Sequence, residues 1–234
     1  MTAANGRRPS EPHDTLRDLL ESRVSCRAFT SEPVSDGTIR EILTMAQRTA
    51  SWCNSQSWHL AVTRGEGTER LRKALYSAAS ADVVEETDIA FPREYRGVHK
   101  QRRRESGFQL YNAVNIERGD RTRQREQTLE NFRFFGAPHV AILHTDEALG
   151  AYGAVDCGAY VSNFLLAATS LGVSTIAQAA LAVYPNVLRR ELGLSEDRRI
   201  VCGISFGYAD TSHPINGYRT SRAVVDDVVD WIDR

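Results

Sequence analysis

Residues 50–58 read ASWCNSQSW, two tryptophans six apart with a cysteine and several amide and hydroxyl side chains between them. Large aromatics favour cores, whereas Asn, Ser and Gln favour surfaces. The stretch also joins two different periodicities. Upstream, Ile39, Ile42, Leu43 and Ala46 form the i, i+3, i+4, i+7 stripe of an amphipathic helix, with Ser35 or Asp36 able to cap it. Downstream, HLAVT (59–63) reads as a strand, which places Trp58 in the core at its start. Trp52 has no such role, and Cys53 reads as structural.

The same alternation continues outward. DTLRDLLES (14–22) reads as a helix capped by Asp14, and TERLRKALYSAA (68–79) as another. HVAILH (139–144) is a buried strand, and AYGAVDCGAYVSNFLLAATSLG (151–172) a central core helix, because Asp156, Ser162 and Asn163 interrupt it too often for a membrane span. VSTIAQAA (173–180) is a short strand or loop, and PNVLRRELG (185–193) a helix stopped by Gly193. RIVCGISFGYA (199–209) is a strand, and DDVVDWI (226–232) a last short helix. Residues 82–135 are densely charged, yet Tyr95, Phe108, Leu110, Tyr111, Val114 and Ile116 recur at helical spacing. They predict amphipathic excursion helices with a Gly-Asp turn at 119–120. Strands separated by helices indicate α/β or α+β. The expected organisation is a polar tail over 1–13 and a single domain over 14–234.

Composition narrows the function. Lys+Arg 29 against Asp+Glu 30 gives a net charge of −1, which disfavours nucleic acid as a partner. The run KQRRRE (100–105) reads as a solvated helix face. Four scattered cysteines form no CxxC pair and no zinc spacing, which fits reduced thiols in the cytoplasm. No metal site is expected, since His139 and His144 sit five apart on a strand and face opposite sides. No ordering of Ser or Cys with His and Asp supports a hydrolase, and no GxGxxG supports a Rossmann domain.

Two Arg-hydroxyl clusters stand out. RVSCR (23–27) follows the first helix and YRTSR (218–222) lies near the chain end. Arginine forks bind phosphate bidentately. Either cluster alone also suits a solvated loop; converged, the two could hold one dianion.

In order, RVSCRAFTSEPVSDGTIREIL, NSQSW, LGVSTIAQAAL and the closing GYADTSHPINGYRTSRAVVDDVVDW resemble the nitroreductase family of FMN-dependent oxidoreductases, over nearly the whole chain. The resemblance implies an α+β fold with a central mixed sheet flanked by helices, in an intertwined homodimer with FMN at the subunit interface. Carried onto these positions, Arg23, Val24, Ser25 and Arg27 would line the ribityl-phosphate and the N1–O2 edge of the flavin. Ala50, Ser51, Trp52, Asn54 and Gln56 would come from the partner subunit. Ile176, Ala177, Gln178 and Ala179 would lie against the isoalloxazine, with the Ala179 backbone near N5. Arg219 and Arg222 would complete the phosphate clamp. No catalytic acid or base is implied. Reduction leaves negative charge on the N1–C2=O edge, and a fixed cation such as Arg27 stabilises it.

NADH or NADPH would be the donor, and the same face would then serve a small aromatic acceptor in ping-pong fashion. Two departures from the family pattern matter. Ser57 replaces the usual proline before Trp58, and residues 91–125 most resemble the branch acting on nitrobenzoate-like acids. There Trp52, Tyr95, Phe108 and Tyr111 would meet the substrate, with arginines orienting a carboxylate. A flavin oxidase, desaturase or dehalogenase on the same fold is the alternative.

Overall fold

The computed structural model describes residues 11–233, so most of the expected polar tail lies outside them. Four strands form one sheet in the order β1-β2-β4-β3: β1 Trp58–Thr63, β2 His139–Asp146, β3 Ser174–Gln178 and β4 Arg198–Gly207. All three strand pairs are antiparallel. Parallel pairing enters at one bridge, Ser25 with Thr175 beside β3, and this gives the sheet its mixed edge. The expectation of helices around a central sheet therefore holds.

β2 is buried on both faces, as its unbroken apolar run requires. Its alternate residues separate two cores. Ala141 and Leu143 pack with Ile39 and Ile42 of α2 (Asp36–Ala46) and with Tyr160 and Phe164 of α6 (Gly150–Ser170). Val140 and Ile142 face α3 (Glu66–Ser80) and α7 (Pro185–Leu192), through Leu71, Leu75 and Leu188. The period-2 geometry of a strand assigns the residues to opposite cores. Trp58 is 4% exposed, lies 5.0 Å from the Tyr160 ring and donates its indole N–H to Gln47. It is the anchor that its position predicted.

Local signals held where side chains could act alone. Ser35 caps α2 by accepting the Thr38 N–H at 3.1 Å, and Gly193 ends α7 in the left-handed region. Asp120 caps α5 (Arg121–Leu129) by accepting the Arg123 N–H, at the predicted Gly-Asp turn.

Three expectations need correction. The first helix, α1, runs Pro12–Ser22 with Glu11 as its cap residue and no capping side chain; Asp14 sits in the first turn and binds Arg17 instead. The proline fixes φ for the first turn, which moves the start ahead of Asp14. Residues 226–232 do not form a helix: a single 3-10 turn, Val225–Asp227, precedes irregular chain with Trp231 72% exposed. Those apolar residues find nothing to pack on within this chain, and a short helix without packing is marginal. In the excursion, α4 (Gly97–Ala113) buries no residue at all, so its aromatics form no core stripe.

Candidate cofactor site

The chain leaving α1 does not wander into solvent. Cys26 donates its N–H to Thr175 O at 2.9 Å beside β3, and Thr30 donates to Tyr208 O at 2.8 Å past the end of β4. Asn216, in a 3-10 turn spanning Pro214–Asn216, then ties this segment to the closing loop. Its Oδ1 accepts the Arg27 N–H at 2.7 Å, and its Nδ2 donates to Ala28 O and Asp210 O, each at 2.9 Å. Its own carbonyl receives the Arg219 guanidinium at 2.8 Å. One side chain therefore joins two loops nearly 190 residues apart, and the solvated-loop reading of RVSCR fails.

The result is a cavity of 540 Å³ lined by Arg23, Val24, Ser25 and Arg27 on one side and Arg219 and Arg222 on the other. Both arginine clusters converge there, as the sequence suggested. None of the four guanidiniums has a carboxylate within ion-pair distance among the described residues. Burial, then the neighbouring Arg222 charge, lowers the Arg23 pKa; burial lowers that of Arg27. Glu21 also lines the cavity, so four cations meet one carboxylate there, and a dianion entering it relieves the remaining positive potential. The Arg27 guanidinium also lies 5.5 Å from the Tyr218 ring, and the Tyr218 hydroxyl is covered without a hydrogen-bond partner. An orphaned donor beside unpaired cations suits a phosphorylated polar ligand.

Arg27 also borders a second cavity of 240 Å³, together with Ile176, Ala177, Gln178 and Ala179. Along this stretch Ala177 and Ala179 are exposed while Ile176 and Gln178 are buried. Gln178 is engaged elsewhere, donating to Asn131 O at 3.0 Å and accepting from Ser205. The floor offered to a ligand is therefore backbone and alanine methyls, which allow a flat ring to approach closely. Leu110 and Tyr111 of α4 form the opposite wall. Tyr111 and Phe108 continue into a 400 Å³ cavity with Arg27 and Tyr218, and Tyr95 lines a 460 Å³ cavity that reaches Arg222. Tyr95, Phe108 and Tyr111 of the expected substrate aromatics thus adjoin the arginine cavities, whereas Trp52 does not.

Ala50, Ser51, Trp52, Asn54 and Gln56 do not. None borders the two cavities that hold the clamp. They sit against α6, where the Asp156 carboxylate accepts the Trp52 N–H at 3.1 Å and the hydroxyls of Ser55 and Ser57. Cys53, Asn54 and Gln56 all take positive φ near 50°. For side chains other than Gly and Asn this costs on the order of 1 kcal/mol or more, and such strain collects at functional positions. Cys53, read as structural, is exposed. Trp52 is 62% exposed and tilts over Tyr152 with ring centroids 5.0 Å apart.

The profile of the Nitroreductase family matches residues 20–208. The chain belongs to the nitroreductase family. Nitroreductase NfnB of Mycolicibacterium smegmatis is 38% identical over 208 residues, covering 88% of this chain and 87% of its own. A 4-nitrobenzoate reductase of Pseudomonas putida is 31% identical, covering 89% and 92%. The crystal structure of the FMN-dependent nitroreductase NfnB from Mycobacterium smegmatis in complex with NADPH superposes with a TM-score of 0.91 at 34% identity, covering 95% of this chain and all of that one. Arg219 and Arg222 lie beyond the residues that the family profile matches, and only the cavity geometry joins them to Arg23 and Arg27. Asn216, Tyr218 and Asp156 were not singled out from sequence. Asp156 had left a signal, as a lone carboxylate within an apolar helix.

Proposed function

We propose that this nitroreductase is an FMN-dependent oxidoreductase that uses NAD(P)H to reduce nitroaromatic compounds, nitrobenzoate-like acids among them, or quinones. The observation that carries the reading is the convergence of Arg23, Arg27, Arg219 and Arg222 next to the alanine floor of β3. When bound, FMN supplies the redox chemistry, accepting a hydride equivalent from NAD(P)H and passing electrons to the acceptor in ping-pong order.

The chain's own residues bind and orient. Arg23, Arg219 and Arg222 hold the phosphate. Arg27, fixed through its backbone by Asn216, places a cation where negative charge develops. Ala177 and Ala179 clear one face for the ring, while Tyr111 and Phe108 border an aromatic slot. No side-chain acid or base is required by this reading.

The reading includes a homodimer in the cytoplasm. In support, Trp52, Tyr152 and Val155 form an apolar face of one chain, each more than 60% exposed, and Trp231 and Ile232 protrude at the other extreme of the sequence. The strained 50–56 loop would complete the neighbouring subunit's site. No helix among the described residues is long and apolar enough to cross a membrane.

Purified protein is expected to be yellow and to release FMN on denaturation. Under anaerobic conditions NADH or NADPH should bleach it, and 4-nitrobenzoate should restore the colour. A colourless protein that ignores added FMN would end this reading. Bleaching without reoxidation by any nitroaromatic or quinone would move it to an oxidase or desaturase.

A further inference from the structure

Two bulky residues in succession, Phe134 and Phe135, take the left-handed conformation (φ 58°, ψ 23° and φ 52°, ψ 30°), and Gly136 follows at φ 81°. Glycine adopts this geometry freely, whereas the Cβ of a phenylalanine crowds the next carbonyl and its ring offers no polar compensation. Both rings are buried, Phe134 completely, so this is not the yielding tip of an exposed loop. Backbone of this kind persists only where surrounding contacts over-determine it, and it gathers at sites that use the geometry.

The contact that fixes the turn comes from α3. The Arg72 side chain is only 19% exposed and reaches both flanks of the turn. Its Nε donates to Arg133 O at 3.0 Å, just before the left-handed pair, and its Nη2 donates to Ala137 O at 2.6 Å, just after Gly136. The guanidinium also lies 5.4 Å from the Phe134 ring, and Glu69, one helical turn earlier, accepts from Nη1. A rigid planar fork therefore bridges the carbonyls on either side of the strained residues. Arg72 itself borders neither the arginine cavity nor the cavity over the β3 floor.

The turn does reach the floor. Phe135 and Asn131, both in the 3-10 segment Glu130–Gly136, border the 240 Å³ cavity together with Ile176, Ala177 and Ala179. The Phe135 carbonyl accepts the Phe29 N–H at 3.2 Å, two residues beyond Arg27. Asn131 O accepts from the Gln178 amide at 3.0 Å, which keeps that amide off the floor. One strained segment is thus bonded both to the segment that carries Arg27 and to β3, the two parts of the chain that meet at this cavity.

We propose that Arg72 is a positioning residue for the ring end of the flavin site: by bridging Arg133 O and Ala137 O it holds the Phe134–Gly136 turn left-handed, and the turn holds the wall beside the β3 floor. The proposal rests on the FMN-dependent reading above. Loss of the fork disturbs the ring rather than the phosphate, since no residue of the turn borders the cavity of Arg23, Arg219 and Arg222.

The test compares the holoenzyme with Arg72→Met, which keeps an apolar stem against Phe134 and loses the fork, and with Arg72→Lys, which keeps the charge. FMN is added until the visible flavin bands saturate. Band shape, thermal midpoint and the rate of anaerobic reduction are then measured, with whichever of NADH and NADPH bleaches the wild type faster. Arg72→Met should shift the bands of the bound flavin and slow its reduction by about 10–100-fold, the loss that follows a misplacement on the order of 1 Å. Arg72→Lys should fall between it and the wild type. Unshifted bands or an unslowed reduction in Arg72→Met, whatever its thermal midpoint, would overturn the proposal, because Arg72 would then serve the fold alone. Should Arg72→Met fail to fold or to saturate, Arg72→Lys decides on the same two readouts. Shifted bands with a slowed reduction would support the proposal, and wild-type behaviour would overturn it, since one ammonium cannot stand where both Nε and Nη2 stand. A colourless wild type ends this proposal together with the FMN reading; the adverse outcomes in a yellow protein end this proposal alone.

Discussion

Arg23 and Arg222 show how position changes the meaning of a side chain. On an isolated loop each would be a hydrated cation of little consequence. Brought into one cavity they repel each other, and the Arg23 charge is further penalised by burial. Replacing either by Ala should weaken FMN binding by about 10–100-fold, the equivalent of one charge-assisted hydrogen bond. Fluorescence titration of the apoprotein with FMN measures this, and full occupancy in both variants would show that the clamp is misassigned.

His144 carries a different residue-scale consequence. It is buried against His59, with ring centroids 5.7 Å apart, and its Nδ1 has no partner. Burial, then the His59 and Arg198 charges, pushes its pKa down to about 4. The neutral form is the native one, so its contribution is complete above the unfolded value near 6.5 and is lost as pH falls towards 4. His139 shifts in the same direction, mainly through burial. Its Nε2 accepts the Val34 N–H at 3.0 Å, a bond that protonation breaks. Urea denaturation should therefore show stability declining between pH 6.5 and 4, with His144 contributing up to about 3 kcal/mol. A His144→Gln variant should show a shallower decline; an unchanged slope would place the effect elsewhere.

At the scale of elements, the segment between α3 and α4 depends on one buried ion pair. Asp88, with its side chain 6% exposed, accepts the Arg189 guanidinium of α7 at 2.7 Å and the Ile200 N–H at 2.8 Å. Glu85 accepts the Asn186 N–H nearby. These contacts hold the start of the excursion on the sheet's second core, and α4 itself has no buried residue to hold it. Removing Arg189 leaves Asp88 only the Arg199 guanidinium at 3.6 Å, so Arg189→Ala should cost somewhat less than the about 3–5 kcal/mol of a fully orphaned buried charge. It should also raise hydrogen exchange through α4 more than through α6. Exchange that rises uniformly would mean that α4 does not depend on the latch. Sequence periodicity located α4 and α5, because helical spacing and the Asp120 cap are local. It misread α4 as amphipathic, because aromatics spaced for a helix face look the same whether they meet a core or a ligand cavity.

At the scale of the whole molecule, the chain presents both a site and a piece that its own site does not use. The 50–56 loop is strained, fixed by Asp156 and does not border the arginine cavity of its own chain. If it serves a second copy, Trp52→Ala should lower FMN affinity despite that separation. If the proposed homodimer uses this segment, removal of residues 224–234 should shift the protein towards monomer in light scattering, since it exposes Val224, Val228, Trp231 and Ile232. A truncated protein that remains dimeric with full flavin would show that the tail is not part of the interface.

What the sequence determined by itself was written in short-range chemistry: the strands around Trp58, His139 and Ile200, a cap at Ser35 or Asp36, the Gly193 stop and the arginine-hydroxyl clusters. These follow from periodicities of two and 3.6 residues and from caps that act within one turn. Only the tertiary structure decided that Asn216 binds the backbone of Arg27, that Gln178 turns its amide away from the floor, and that residues 229–233 form no helix. Those outcomes depend on which surfaces meet, and contacts between residues nearly 190 apart leave no local pattern to read.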